Sequence, residues 1–301
     1  MKEIVVISGK GGTGKTSITA AFAMLAENAV LCDADVDAAD LHLLMQPNIL
    51  EKHQFLGGCK AEIHLDACSS CGLCRQLCRF AAIGPDFVVD AIACEGCGVC
   101  VDLCPEQAIA FPQQQCGQWF SSATRFAPMI HARLGIAEEN SGKLVSLIRQ
   151  EARQLAELQG RDLIVTDGPP GIGCPVIASI GGATMVVVVV EPTVAGFHDM
   201  SRVVDLAAHF RVPGMVVINK YDINEEMSAS IETMALARNL VLLGRIPFDP
   251  LFTQAMIAGQ NVLEYDPKSA VAECIRQIWR KLVESPAYQQ AGIPNLSAAI
   301  R

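Results

Sequence analysis

Short, almost wholly apolar segments recur along the chain: Glu3–Ser8 (EIVVIS), Ala29–Asp33 (AVLCD), Leu163–Thr166, Met185–Val190, Met215–Asn219 and Val241–Ile246. Each is too short for a stable helix, and none places a polar residue at every second position. That pattern predicts strands buried on both faces. Between them, apolar positions return at helical spacing over Ile18–Asn28 and Lys143–Gln159, and a helical stretch follows each later strand. Alternating strands and helices predict an α/β fold, a mostly parallel twisted sheet covered by helices.

The alternation breaks from about Gly57 to Pro112, where cysteine, glycine and short apolar pairs replace the long apolar runs. The break predicts a discontinuous main domain (1–56 and 114–285) and a small inserted domain (57–113). Residues 286–301 are polar, contain Pro294 and read as a loosely held tail. Inside the insert, ACSSCGLCRQLCRFAAI (67–83) and ACEGCGVCVDLCPEQAI (93–109) repeat at a period of 26 residues, which predicts two similar halves.

With 301 residues, 51% apolar and 18% charged, the chain can bury a sizeable core. A net charge of −9 without any Lys/Arg block disfavours direct binding to nucleic acid or to an anionic membrane. The longest aliphatic run, Met185–Val190, is too short to span a bilayer, so stable membrane insertion is not expected. Met1 leads directly into a strand and a glycine loop, and no export signal is expected. The 13 cysteines therefore point to metal ligation in a reducing cytoplasm rather than to disulfides.

Gly9-Lys10-Gly11-Gly12-Thr13-Gly14-Lys15-Thr16 fits G-x4-G-K-[ST], with a strand before it and a helix from Ser17–Ile18 after it. Glycines in such a loop let successive backbone N–H groups turn inward on phosphates at a helix N-terminus. Lys15 is then placed for the β- and γ-phosphates and Thr16 for Mg²⁺. Lys10, the additional lysine, makes the loop resemble the deviant Walker A motif of the MinD/ParA/Mrp/nitrogenase-iron-protein superfamily of P-loop NTPases. CDADVD (32–37), DGPPGIG (167–173) and INKYD (218–222) resemble that superfamily's D-x-D, its Walker B and switch region, and its adenine-contacting strand end. The resemblance implies ATP as substrate and a nucleotide-dependent dimer, either of two identical chains or with a related ATPase. It implies that Lys10 reaches the partner's nucleotide, Asp35 positions the attacking water, Asp167 holds Mg²⁺ through water, and Asn219 contacts adenine. Asp33, Asp37 and Asp40 read as capping or solvated carboxylates, with Asp37 the reserve for Asp35.

Cys68, Cys71, Cys74 and Cys78 form C-x2-C-x2-C-x3-C, and Cys94, Cys97, Cys100 and Cys104 repeat it. The spacing resembles bacterial two-cluster ferredoxins, in which each run lends its fourth thiolate to the other [4Fe–4S] cluster. The resemblance implies one cluster on Cys68, Cys71, Cys74 and Cys104, and a second on Cys94, Cys97, Cys100 and Cys78, in a small α+β domain. Zinc sites use paired Cys-x-x-Cys with longer separations. Pro105 follows the second run, whereas Arg79 follows the first and reads as solvated.

Of the other cysteines, Cys32 and Cys274 read as core, Cys59 and Cys116 as packing at the base of the insert, and Cys174 as a small buried thiol with a lesser claim to a redox role. The six histidines (42, 53, 64, 131, 198, 209) lack ligand spacing and read as structural or surface residues. Leu134–Val145 reads as a loop capping the next helix.

The combined expectation is a slow, dimerisation-dependent ATPase carrying two clusters, with nucleotide state linked to electron transfer or to a redox-controlled partner. Two alternatives remain: an iron–sulfur carrier of the Mrp type, which uses a C-terminal Cys-x-x-Cys that has no counterpart after Cys104, and a MinD-like spatial-positioning ATPase with a redox sensor.

Overall fold

The computed structural model describes residues 1–135 and 141–291. In chain order the first elements are β1 (Lys2–Ser8), α1 (Lys15–Leu25), β2 (Ala29–Asp33), α2 (Leu41–Met45), β3 (Asn48–Cys59), β4 (Glu62–Ile63), α3 (Leu73–Leu77), α4 (Val99–Asp102), β5 (Ile109–Ala110), β6 (Gln113–Ala123) and β7 (Pro128–Leu134). Then come α5 (Ser141–Leu158), β8 (Leu163–Pro170), α6 (Cys174–Ile180), β9 (Met185–Val190), α7 (Val194–His209), β10 (Gly214–Asn219), α8 (Glu225–Ala237) and β11 (Val241–Ile246). The last are α9 (Leu251–Ile257), α10 (Val262–Tyr265), α11 (Ala270–Glu284) and α12 (Pro286–Gln290).

A nine-stranded sheet runs β11-β10-β9-β1-β8-β2-β7-β6-β3. Pairing is parallel from β11 through β7. The apolar strands are buried on both faces because alternate residues feed two separate cores. Ile4, Val6, Leu31, Val165 and Val187 pack with Phe22, Ile275 and Ile278 of α1 and α11. Val5, Ile7, Val186 and Val188 pack with Val176, Val203 and Ile231 of α6, α7 and α8. Burying each such side chain contributes about 1.5–3 kcal/mol, so the five consecutive valines of β9 can be satisfied only at the centre of a covered sheet.

The described residues divide into two compact units: Met1–Lys52, Trp119–Arg133 and the chain from Ser141 form one, and His53–Gln118 with the stretch from Leu134 forms the other. In the second unit, β4 and β5 pair antiparallel, Ile63 opposite Ile109. Its backbone repeats with its sequence. Positive φ occurs at Ser70 and Gly96, at Gly72 and Gly98, and at Ala81 and Gln107, each pair 26 residues apart (96−70, 98−72, 107−81). Gly72 and Gly98 each open a short helix, α3 and α4. The amides of Ala82 and Ala108 donate to the Cys78 and Cys104 thiol sulfurs, both at 3.4 Å.

Several expectations are corrected. The chain from Ser285 is not loose at its start: Ser285 caps α12 through the Tyr288 amide. Tyr288 packs on the first core with the Lys2 ammonium 4.0 Å from its ring centre. The rest of the tail, and residues 136–140 of the supposed capping loop, lie outside the described residues. Cys274 is half-buried on α11 rather than core, and Cys174 is exposed at the start of α6 rather than a buried thiol. Cys32 is buried, and Cys116 is buried with its thiol on the Gly57 carbonyl. Among the described residues no helix is long and apolar enough to cross a membrane.

Candidate functional site

Parallel strands deliver their C-terminal ends to one edge of a sheet, and ligands bind there where strand order reverses about a central strand. Here β1 lies between β8 and β9. Strand ends place the loop after Ser8, Asp33 at the end of β2, Asp167 in β8, Glu191 just past β9 and Asn219 at the end of β10. Asp33 and Asp167 are direct register partners. These residues are far apart in sequence, and parallel pairing alone brings them together.

The loop is held by its glycines and by Asn219. Gly12 and Gly14 have φ of +79° and +86°, and a Cβ on Gly14 would collide with the Asn219 amide nitrogen. Asn219 is buried and donates from Nδ2 to the Thr13 carbonyl at 2.8 Å. The residue expected to contact adenine thus has its amide bonded to the phosphate loop. Gly11 and Gly12 are exposed, Thr13 is buried, and Thr16 and Ser17 are half-buried on the first turn of α1.

Lys15 is 6% exposed, its Nζ 2.9 Å from Asp167 Oδ1 and 3.2 Å from Asp35 Oδ2. Thr16 Oγ1 donates to Asp167 Oδ2 at 2.8 Å and Thr19 Oγ1 to Oδ1 at 2.9 Å. Burial works against the charge on Lys15, but Asp167 and Asp35 outweigh it and hold the ammonium pKa above its usual value. Burial raises the Asp35 carboxyl, with Lys15 pulling the other way.

Asp33 corrects its reading as a capping or solvated carboxylate. It is completely buried, and burial followed by repulsion from Asp167 pushes its pKa well above the usual carboxylate range. Its Oδ1 accepts from the Asp35 amide at 3.3 Å, while Oδ2 has no hydrogen-bond partner among the described residues. Asp37 and Asp40 are exposed, and Asp40 makes no side-chain cap on α2. The sequence signal for Asp33 was its position as the last residue of a buried strand.

Three buried carboxylates therefore face one ammonium, and Thr13 Oγ1 is a second buried polar atom without a hydrogen-bond partner among the described residues. Such groups are costly unless something fills the site. Excess negative charge beside a hydroxyl suits a hard divalent cation, and a glycine loop at the N-terminus of α1 suits phosphate. Thr16 and Asp167 fit Mg²⁺, and the loop with Lys15 fits the phosphates of a nucleotide.

Lys10 is not in this cluster. Its Nζ lies 3.1 Å from Glu191 Oε2 and 3.5 Å from Thr193 Oγ1. Lys220 takes the other oxygen of Glu191 and also donates to the Gly12 carbonyl at 3.2 Å. Sequence reasoning passed over Glu191, which lies in no motif, and Lys220, which lies within INKYD beside the residue that was singled out.

In the second unit, one cavity is lined by Cys68, Cys71, Cys74 and Cys104, with Phe87 and Ile109. Another is lined by Cys78, Cys94, Cys97 and Cys100, with Phe80 and Phe111. Burial raises the Cys74 thiol, followed by contributions that include Cys68, Cys71 and Cys104; burial also raises Cys100, with Cys94, Cys97 and Cys78 adding to it. Each fourth cysteine thus sits with the opposite run. Among the described residues no three His, Cys, Asp or Glu side chains are drawn close enough to hold a single metal ion. Arg79 is exposed.

The first unit defines a P-loop nucleotide-binding protein with its site at the C-terminal edge of a parallel sheet. The profile of the CobQ/CobB/MinD/ParA nucleotide binding domain matches residues 4–262; the chain belongs to this family and is an ATPase. It is similar to the uncharacterized protein MJ0578 of Methanocaldococcus jannaschii, 32% identical over 94% of this chain and 96% of that protein. It is also similar to the uncharacterized ATP-binding protein MJ0547 of the same organism, 24% identical over 93% of this chain and 87% of that one. Its fold is similar to that of the septum site-determining protein MinD of Pyrococcus horikoshii complexed with Mg-ADP, with a TM-score of 0.59, 17% identity, and coverage of 97% and 99% of the two chains.

Proposed function

We propose that this ATPase is of the deviant Walker A type and works as a nucleotide-dependent dimer in the cytoplasm, either with itself or with a related ATPase. We propose further that its second unit is an inserted bacterial-ferredoxin-like domain (about 57–113) for two [4Fe–4S] clusters, and that nucleotide state is coupled to electron delivery or to redox-controlled binding of a partner protein. The observation that carries the reading is the sorting of eight cysteines into two cavities, each combining three thiols of one run with the last thiol of the other.

The donor set fits. Four cysteines line each cavity, the number of thiolates that a [4Fe–4S] cluster takes. Phe87 lines one cavity and Phe80 and Phe111 the other, and the apolar shell around such a centre tunes it. When bound, the clusters supply one-electron carriage.

In the ATPase unit, phosphoryl transfer to water needs positioned charge and an oriented nucleophile more than covalent chemistry. Lys15 and the loop amides (Gly11–Ser17) hold the β- and γ-phosphates. Thr16 would ligate Mg²⁺ and Asp167 would hold it through water, and the ion would supply positive charge for the phosphate oxygens. Asp35 orients the attacking water, Asn219 supports the loop and the base, and Lys10 crosses to the partner's site. Lys15 is bonded to Asp35 and Asp167 in this conformer, and its ammonium, with three donors, can also meet a phosphate oxygen.

The test is ATP affinity with oxidised and with dithionite-reduced protein, together with the cluster potential with and without ATP. Linkage is reciprocal, so a coupled protein shows equal free-energy shifts in both. Equal affinities with an unchanged potential would mean two independent modules and end the coupling proposal.

A spatial-positioning ATPase is the second reading, favoured by the MinD-like fold. Against a membrane role for the basic helix near the C-terminus, α11 buries Val271, Ile275, Ile278 and Leu282 in the first core. Pelleting with anionic liposomes and ATP separates the two readings.

A further inference from the structure

We infer that Glu191 is a latch that holds Lys10 within its own subunit, and that ATP-driven dimerisation must open this latch. The inference rests on the proposed role of Lys10 at the partner's nucleotide and adds a residue that sets when Lys10 is available.

Glu191 follows the last residue of β9 and precedes Pro192 and Thr193, the N-cap of α7. Its backbone is therefore fixed by a buried strand on one side and a capped helix on the other. Its side chain is 13% exposed, and each carboxylate oxygen takes one lysine, Oε2 from Lys10 and Oε1 from Lys220. Both lysines belong to the site: Lys10 lies in the phosphate loop, and Lys220 follows the buried Asn219 and donates to the Gly12 carbonyl at 3.2 Å. Thr193 Oγ1 adds a second acceptor, 3.5 Å from the Lys10 ammonium.

In this arrangement the charge of Lys10 is spent inside its own chain. A cation offered to a partner's phosphate must first leave Glu191, and the carboxylate then keeps Lys220 alone. That second lysine makes release affordable, because Glu191 is never left as a partly buried, unpaired charge. The exchange needs no backbone movement in β9 or α7, only rotation of a long lysine side chain. The latch thus opposes dimerisation until a γ-phosphate across the interface competes for Lys10.

The experiment measures dimer dissociation constants by sedimentation with a non-hydrolysable ATP analogue, for wild type, Glu191→Gln, Lys10→Ala and the double variant. Glutamine keeps the volume and one acceptor for Lys220 but removes the charge that holds Lys10. A pair exposed to this degree corresponds to a tightening of about fivefold in Glu191→Gln. No change is expected from Glu191→Gln in the Lys10→Ala background. Glu191→Asp, which keeps the charge on a shorter arm, should give a smaller tightening and serves if the glutamine variant does not fold. An unchanged or weaker dimer in both Glu191 variants, or the same tightening without Lys10, overturns the latch. Wild-type dimerisation by Lys10→Ala instead removes the role of Lys10 itself, and the latch with it.

Discussion

Asn219, at the end of β10, donates from Nδ2 to the backbone carbonyl of Thr13 at 2.8 Å, across 206 residues of sequence. The bond ties the phosphate loop to a strand two places away in the sheet, and it fills the space that any side chain at position 14 would need. Replacing Asn219 with Ala leaves a buried carbonyl unpaired, at a cost of about 1–3 kcal/mol. The expected result is ATP affinity roughly tenfold lower, read by titration with a fluorescent analogue. Wild-type affinity would mean that the loop does not depend on this bond.

Lys15 and Asp35 should separate binding from turnover. Lys15→Ala removes the ammonium facing the phosphates, and tight ATP binding should be lost. Because it also leaves Asp35 and Asp167 without their buried partner, a thermal melt should be compared alongside. Asp35→Ala should retain ATP but slow release of phosphate by about 10²-fold or more. Turnover at the wild-type rate would move the water-positioning role to another carboxylate. The burial of Asp33 and the exposure of Asp37 make Asp33 the next to test.

The cysteine pairing predicts crossed damage. Anaerobically prepared protein should carry about eight irons. Cys78→Ser should harm the centre built on Cys94, Cys97 and Cys100, whereas Cys104→Ser should harm the one built on Cys68, Cys71 and Cys74. Electron paramagnetic resonance of the reduced variants reads which signal is lost. Stoichiometric zinc without iron would refute the cluster assignment.

His131 predicts a pH dependence of stability. It is buried, its Nε2 lies 2.9 Å from Ser122 Oγ, and its ring stacks on Phe120. Burial, with a smaller contribution from His42, lowers its pKa from 6.5 to about 4. The folded state thus holds the neutral ring, its contribution is complete above pH 6.5, and it is lost as pH falls from there through about 4. Near pH 5 the loss is about 2 kcal/mol at roughly 1.4 kcal/mol per unit. Urea unfolding at pH 7 and pH 5 should show this drop, and His131→Gln should remove most of it. An equal drop in the variant would assign the acid sensitivity to other groups.

Several features of this protein follow from its sequence alone. The central strands, the phosphate loop and the repeated cysteine spacing are local, because a run of valines, a glycine loop before a helix and a four-cysteine interval each carry their signal within a few residues. β3, β6 and β7 carry no strand signal in the sequence: β3 and β6 are exposed or half-buried along most of their length, and the polar His131 interrupts the apolar run of β7. Only the tertiary structure decided that Asp33 is buried opposite Asp167, that the Asn219 amide binds the phosphate loop, that Cys174 is exposed, and that Lys10 pairs with Glu191. The physical reason is that a parallel sheet sets residues more than a hundred positions apart side by side at its edge. Whether a charge there is solvated, paired or orphaned depends on neighbours that no local window contains.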